Sequence, residues 1–184
     1  MADAGRRAVF LDRDGTIVED PGFLHQPGKV RLLAGAGEAI HQLNQAGWLV
    51  ITVSNQSGIA RGLYDAAAYQ AVQRRLVELL AAHDARLDGA YFCPHHPAFT
   101  GPCECRKPGL LLFREAQAAL GLDLTRCCWV GDRLSDVEPA RKLGGRALLV
   151  ETGGGATYVG KARALRIPVV ADLAAAAAEI VHGA

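Results

Sequence analysis

The 184-residue sequence has no apolar run long enough to cross a bilayer, no internal repeat and almost no net charge. Its 20 Lys and Arg against 19 Asp and Glu leave a formal charge of +1, with the two signs mixed along the chain. No strongly basic surface follows, so neither nucleic acid nor a membrane is expected as the main partner. Residues 1–7 carry no apolar core of the secretory kind, and a cytoplasmic protein is expected. The five cysteines are an odd number, three of them close together and two adjacent. That argues against a disulfide framework and for a reducing compartment with a metal site. No long apolar stripe is left over for a partner subunit, and a monomer is expected.

Half of the residues are hydrophobic and 21% are charged, which suits one globular domain over residues 1–184. Apolar runs at 8–11, 48–53, 89–92, 127–130, 147–150 and 168–170 alternate with amphipathic stretches at 37–45, 65–83, 110–120, 135–143 and 172–181. Strands alternating with helices predict an α/β fold with a mainly parallel sheet. Gly47, Gly121 and Gly144 stand just past three of the helices, where left-handed caps are expected. The alanine run 174–178 has strong helix propensity and no chemistry.

Directly after the first apolar run comes Asp12-Arg13-Asp14-Gly15-Thr16. A strand end holds two carboxylates at a fixed separation, and open parallel sheets bind ligands at that end. Two anions so close favour a hard dication such as Mg2+ between them. Beyond the second strand, Ser54, Asn55, Gln56 and Ser57 can cup an oxyanion, and Arg61 can add charge. Cys93, His95, Cys103 and Cys105 form the pattern C-x-H-x7-C-x-C. Three thiolates and an imidazole suit a closed tetrahedral Zn2+ site, structural rather than catalytic. His96 is set aside, because Cys93 and His95 can turn toward one centre. Arg106 and Lys107 follow, and Pro108 is expected to open a helix, leaving Lys107 beside an N-terminus that favours anions.

After the fourth strand, Gly131 is expected to let the backbone approach a ligand, and Asp132 can complete an oxygen-rich Mg2+ site. Asp136 fits two roles, a helix-cap acid or an outer member of the metal cluster. Cys127 and Cys128 read as buried apolar filler. Residues 155–162 imitate a nucleotide-binding P-loop but lack its final Ser or Thr, and Gly153, Gly154 and Gly155 are expected to form a flexible loop. His25, His41, His83 and His182 read as surface residues.

These four motifs, in this order, resemble the haloacid dehalogenase superfamily of phosphatases. Asp12-Arg13-Asp14-Gly15-Thr16 matches its first signature, Ser54 its second, Lys107 its third, and Gly131-Asp132 with Asp136 its fourth. The resemblance covers most of the chain and implies a Rossmann-like three-layer sandwich. It implies that Asp12 attacks phosphorus, that Asp14 carries the proton, with local hydrogen bonds favouring its acid form, and that Ser54 and Lys107 hold the phosphoryl oxygens. It also implies Mg2+ on Asp12, the main-chain carbonyl of Asp14 and Asp132. The implied substrate is a small sugar phosphate, with Arg106 on its remote part, Arg133 nearby, and Asp20, Pro21, Gly22 and Phe23 at the entrance. The spacing leaves no room for a large cap domain, and the zinc loop is the expected substitute wall. That loop narrows the resemblance to members acting on a sugar bisphosphate or on histidinol phosphate. A zinc-containing binding protein without catalysis is the alternative of another class.

Overall fold

In the computed structural model, which describes residues 5–183, every one of the six apolar runs becomes a strand. They are β1 (Ala8–Leu11), β2 (Leu49–Asn55), β3 (Gly89–Cys93), β4 (Cys128–Gly131), β5 (Arg146–Val150) and β6 (Val169–Val170). All neighbours pair in parallel, in the order β3-β2-β1-β4-β5-β6. The winding direction therefore reverses between β1 and β4, and a crevice opens outside the carboxyl ends of those two strands. The reading of residues 1–4 lies outside the described residues.

The helices are α1 (Ala36–Gln45), α2 (Ser57–Ala60), α3 (Ala66–Ala81), α4 (Pro97–Thr100), α5 (Leu111–Leu120), α6 (Leu134–Leu143), α7 (Val159–Ala164) and α8 (Leu173–His182). The five longest match the amphipathic stretches of the sequence. Asp65 and Asp172 start two of them by accepting the Ala68 and Ala175 N–H groups, each at 2.8 Å. Gly47, Gly121 and Gly144 do take positive φ, at 76°, 65° and 80°.

Side chains of a strand alternate between the two faces of its sheet. Val9 and Leu11 of β1 pack with α1, α3 and α8, whereas Ala8 and Phe10 pack with α5 and α6. This gives three layers. Phe10 meets Trp129 and Phe113 at ring-centroid distances of 4.9 and 5.1 Å, so three aromatic rings fill this core. Truncating such a ring to alanine costs roughly 3–5 kcal/mol. Ala176 and Ala177 of the alanine run are fully buried in the opposite core, where small side chains let α8 approach α1. Cys127 and Cys128 are buried, as expected.

Two expectations fail. Pro108 does not open a helix: residues 106–109 close a turn through Gly109 N–H on Arg106 O at 2.7 Å, and α5 begins only at Leu111. The glycines at 153–155 do not form a loose loop either. A Cβ on Gly153 would press on Asp132 and Gly15, and one on Gly155 would overlap the carbonyl of Val150, so this turn is packed onto the crevice. Among the described residues no large cap domain stands between β1 and β2 or between β2 and β3. No helix among them is long and apolar enough to cross a membrane.

Candidate active site

Asp12 leaves β1 and Asp132 leaves β4, so the strand reversal brings them together. Oxygens of Asp12, Asp132 and Asp136 lie within 4.8 Å of one another, all three buried. One ammonium faces them. Lys107 Nζ sits 2.7 Å from Asp12 Oδ1 and 2.8 Å from Asp136 Oδ1, and also donates to the Val53 carbonyl. Burial works against the lysine charge, but Asp12 and Asp136 outweigh it and hold Lys107 above its ordinary pKa. Burial, with Asp136, Asp132 and Asp14, pushes Asp12 up to about 8 despite Lys107. Burial and Asp136 push Asp132 up to about 6. The two directions around Asp12 and Lys107 share one cause: three carboxylates share a single ammonium, so Lys107 keeps its proton and the acids remain under-neutralised.

The donor set fits a hard dication. Every donor is an oxygen, and Asp132 Oδ1 is buried without a hydrogen-bond partner. The other oxygen of Asp132 accepts Gly154 N–H at 2.8 Å, and Thr152 Oγ1 donates to Gly15 O at 2.7 Å, tying the two loops around the cluster. Gly15, at φ 89°, and Gly153 leave space that a Cβ would fill against Asp132. Asp136 takes both of its foreseen places: it accepts Arg133 N–H at 2.9 Å as a cap and joins the cluster. Gly131 serves Asp136 rather than a ligand, since a Cβ there would overlap the Asp136 side chain.

Asp14 is held differently. Arg13 Nε and Nη2 each reach its carboxylate at 2.9 Å, and Gln56 Nε2 adds a third bond at 2.9 Å. All three partners are donors, so the acceptor that the expected acid form calls for is not among them. Arg13 is wholly buried, its guanidinium 5.1 Å from the centre of the Tyr69 ring. Gln56 Nε2 also bonds Ser54 Oγ, and Tyr64 Oη donates to Gln56 Oε1 at 2.6 Å. Neither Arg13 nor Tyr64 is marked as a site residue by its sequence neighbourhood. A cation next to an acid reads as a solvated pair, and a lone tyrosine in a loop carries no motif.

These groups open into a cavity of about 500 Å³. Asp12, Asp14, Ser54 and Lys107 line its floor, with Asn55, Gln56 and Ser57 beside them. Asp20, Gly22 and Phe23 form one side of the mouth, and Arg61, Arg106 and Arg133 reach it as well. Pro21 is exposed and stays out of the wall. The Asn55 amide is engaged elsewhere: it accepts Lys107 N–H at 2.9 Å and donates to Lys107 O at 3.1 Å. Lys107 is thus placed by a strand end and a turn, not by the helix N-terminus expected from Pro108. His96, set aside as a ligand, joins the cavity wall, 3.3 Å from the Arg61 guanidinium.

Behind the wall lie Cys93, His95, Cys103 and Cys105. The Sγ–Sγ separations are 3.0, 3.6 and 3.5 Å, and His95 Nδ1 is 3.2 Å from Cys105 Sγ. All five cysteines are free thiols. Four such atoms around one ion with bonds of about 2.3 Å would stand about 3.8 Å apart, close to the arrangement seen. The cluster can hold a tetrahedral metal with no position left open.

Residues 104–176 match the family described as HAD-hydrolase-like. The D-glycero-β-D-manno-heptose-1,7-bisphosphate 7-phosphatase of Haemophilus ducreyi is 39% identical over 166 residues, 87% of this chain and 91% of the relative. The enzyme of the same name from Yersinia pestis is 39% identical over 85% of this chain and 87% of its own. Among solved structures, the D,D-heptose 1,7-bisphosphate phosphatase of B. bronchiseptica, complexed with magnesium and phosphate, superposes with a TM-score of 0.88 at 34% identity, covering 97% of this chain and 99% of that one. Likeness this extensive, on a sheet whose reversal point gathers the signature acids, shows that the chain belongs to the haloacid dehalogenase superfamily of phosphatases.

Proposed function

We propose that the protein removes the C7 phosphate of D-glycero-D-manno-heptose 1,7-bisphosphate through an aspartyl-phosphate on Asp12. The observation that carries the chemistry is the cluster of Asp12, Asp132 and Asp136, with Lys107 on Asp12 and with Asp12, Asp14 and Lys107 lining one cavity. In this reading Asp14 first takes up a proton from solvent; an Asp12 oxygen then bonds to phosphorus as the ester O–P bond breaks, and Asp14 gives that proton to the leaving alkoxide. Asp14 then takes a proton from water, whose oxygen bonds to phosphorus as the Asp12 O–P bond breaks. The net change is ester plus water to alcohol plus inorganic phosphate. Lys107 and Ser54 hold phosphoryl oxygens. Asp12, Asp132 and the main-chain carbonyl of Asp14 would hold Mg2+. That ion would supply charge neutralisation between an anionic nucleophile and an anionic phosphoryl group.

The bisphosphate reading rests on the relatives' names and on the mouth of the cavity. Arg61, Arg106 and Arg133 offer guanidinium groups that suit a second phosphate. Histidinol phosphate would instead bring a cationic amine to the same three groups, so it is the poorer fit. The cysteine cluster is assigned a structural Zn2+ that shapes the wall. The chain acts as one unit and as a monomer in the cytoplasm, supplying heptose for cell-surface glycans. A phosphate-release assay with and without Mg2+, over the heptose bisphosphate, simple sugar phosphates and histidinol phosphate, tests the proposal. Preference for histidinol phosphate would overturn the substrate, and no Mg2+-dependent release from any of them would overturn the chemistry.

A further inference from the structure

Gln56 gives Asp14 one of its three hydrogen bonds, and nothing in an amide decides which end it presents. The environment decides it here. Tyr64 Oη donates to Gln56 Oε1 at 2.6 Å, so the carbonyl end is claimed and the NH2 end faces Asp14 Oδ2 and Ser54 Oγ. The phenol keeps its proton at neutral pH, because burial pushes Tyr64 up to about 12. The ring itself is locked. His25 stacks on it at 5.5 Å and 7°, and a Cβ on Gly58 would overlap its edge. Gly58 in α2 is therefore a glycine for the sake of Tyr64.

We propose that Tyr64 is a positioning residue for Asp14, acting through Gln56: its hydroxyl fixes the orientation of the Gln56 amide, which holds the proton-carrying carboxylate toward the reacting oxygen. The inference rests on the reading of Asp14 as the group that carries the proton. With the hydroxyl gone, the carbonyl end of the amide loses its anchor, and the NH2 end is free to swing away from Asp14. The part affected first is proton transfer; Lys107, which the amide does not touch, keeps its grip on the phosphoryl group, while Ser54 loses a donor.

The test compares Tyr64→Phe, Gly58→Ala and the unaltered protein, with turnover taken per folded molecule counted by circular dichroism. General acid–base catalysis is worth about 10²–10⁴ in rate, and an enzyme with a misdirected carboxylate should retain about a tenth to a hundredth of its turnover. Both variants should therefore show kcat lowered at least about tenfold, with KM for the sugar bisphosphate within about twofold. With p-nitrophenyl phosphate the leaving group needs no proton, so the loss should fall on the second half-reaction and appear as a burst of p-nitrophenolate. A raised KM with unchanged kcat would make Tyr64 a substrate contact and overturn the proposal. So would unchanged kcat in both variants. Asp14→Asn separates the two readings: full turnover in that variant would overturn the role of Asp14 itself, whereas an inactive Asp14→Asn beside fully active Tyr64→Phe and Gly58→Ala would overturn only the role of Tyr64.

Discussion

Lys107 Nζ lies 2.7 Å from Asp12 Oδ1, although 95 positions separate the two residues in the chain. Because three buried acids share that one ammonium, the two partners respond oppositely to removal. Lys107→Met should destabilise the fold by about 3–5 kcal/mol, since it strands the buried carboxylates of Asp12 and Asp136 without their cation. Asp12→Asn should leave the melting temperature in Mg2+-free buffer unchanged or higher, because it relieves like-charge crowding, while turnover is lost. Thermal unfolding and phosphate release on the two variants check both halves.

The pH dependence of stability without Mg2+ follows from the same crowding. Asp132 stands at about 6 in the fold against 3.8 as its ordinary value, and Asp12 at about 8. A raised acid binds more protons folded than unfolded, so this contribution to stability is lost as pH rises from about 4 to about 8. A dication on the cluster replaces those protons. The gain in melting temperature on adding Mg2+ should therefore grow between pH 5 and pH 8. A gain that shrinks over this range would place Mg2+ elsewhere.

The guanidinium groups at the mouth should discriminate by charge rather than by reaction. Arg106→Ala or Arg133→Ala is expected to raise KM for the sugar bisphosphate about tenfold, the worth of one charge-assisted hydrogen bond. Turnover of p-nitrophenyl phosphate, which has no second phosphate, should stay within about twofold. Steady-state kinetics on both substrates measure this, and equal losses on both would assign the arginines to the reacting group.

Cys103→Ser should release the ion that the four-atom cluster binds. The purified protein is expected to carry about one zinc per chain by elemental analysis, and the variant much less, with a lower melting temperature. Unchanged metal content would remove Cys103 from the ligand set.

The sheet was legible because β1, β2 and β4, buried on both faces, read as unbroken apolar runs, and the half-buried β3 and β6 at the edges still carry short ones. The acids, Lys107 and the cysteine cluster were legible because their residue types are costly anywhere but at a site. What escaped notice depends on contacts distant in sequence. Arg13 looks like a solvated charge until Asp14 and Tyr69 enclose it. The helices α2, α4 and α7 are too short to show a periodic face. The need for glycine at position 131 was visible, but that its neighbour is Asp136 rather than a ligand was not. The turn at 106–109, closed by Gly109 N–H on Arg106 O and clasped by Asn55 from a strand distant in sequence, stands where a helix start was expected.

That amide clasp between Asn55 and the Lys107 backbone anchors the lysine from β2, while Cys105, two residues earlier, anchors it from the cysteine cluster. An ion locked in the cluster would then work like a tent peg: it breaks no bond in the reaction, yet pulling it slackens the line that keeps the ammonium over Asp12. Chelation would silence the protein by misplacing a charge, with every group that touches the phosphate still chemically intact.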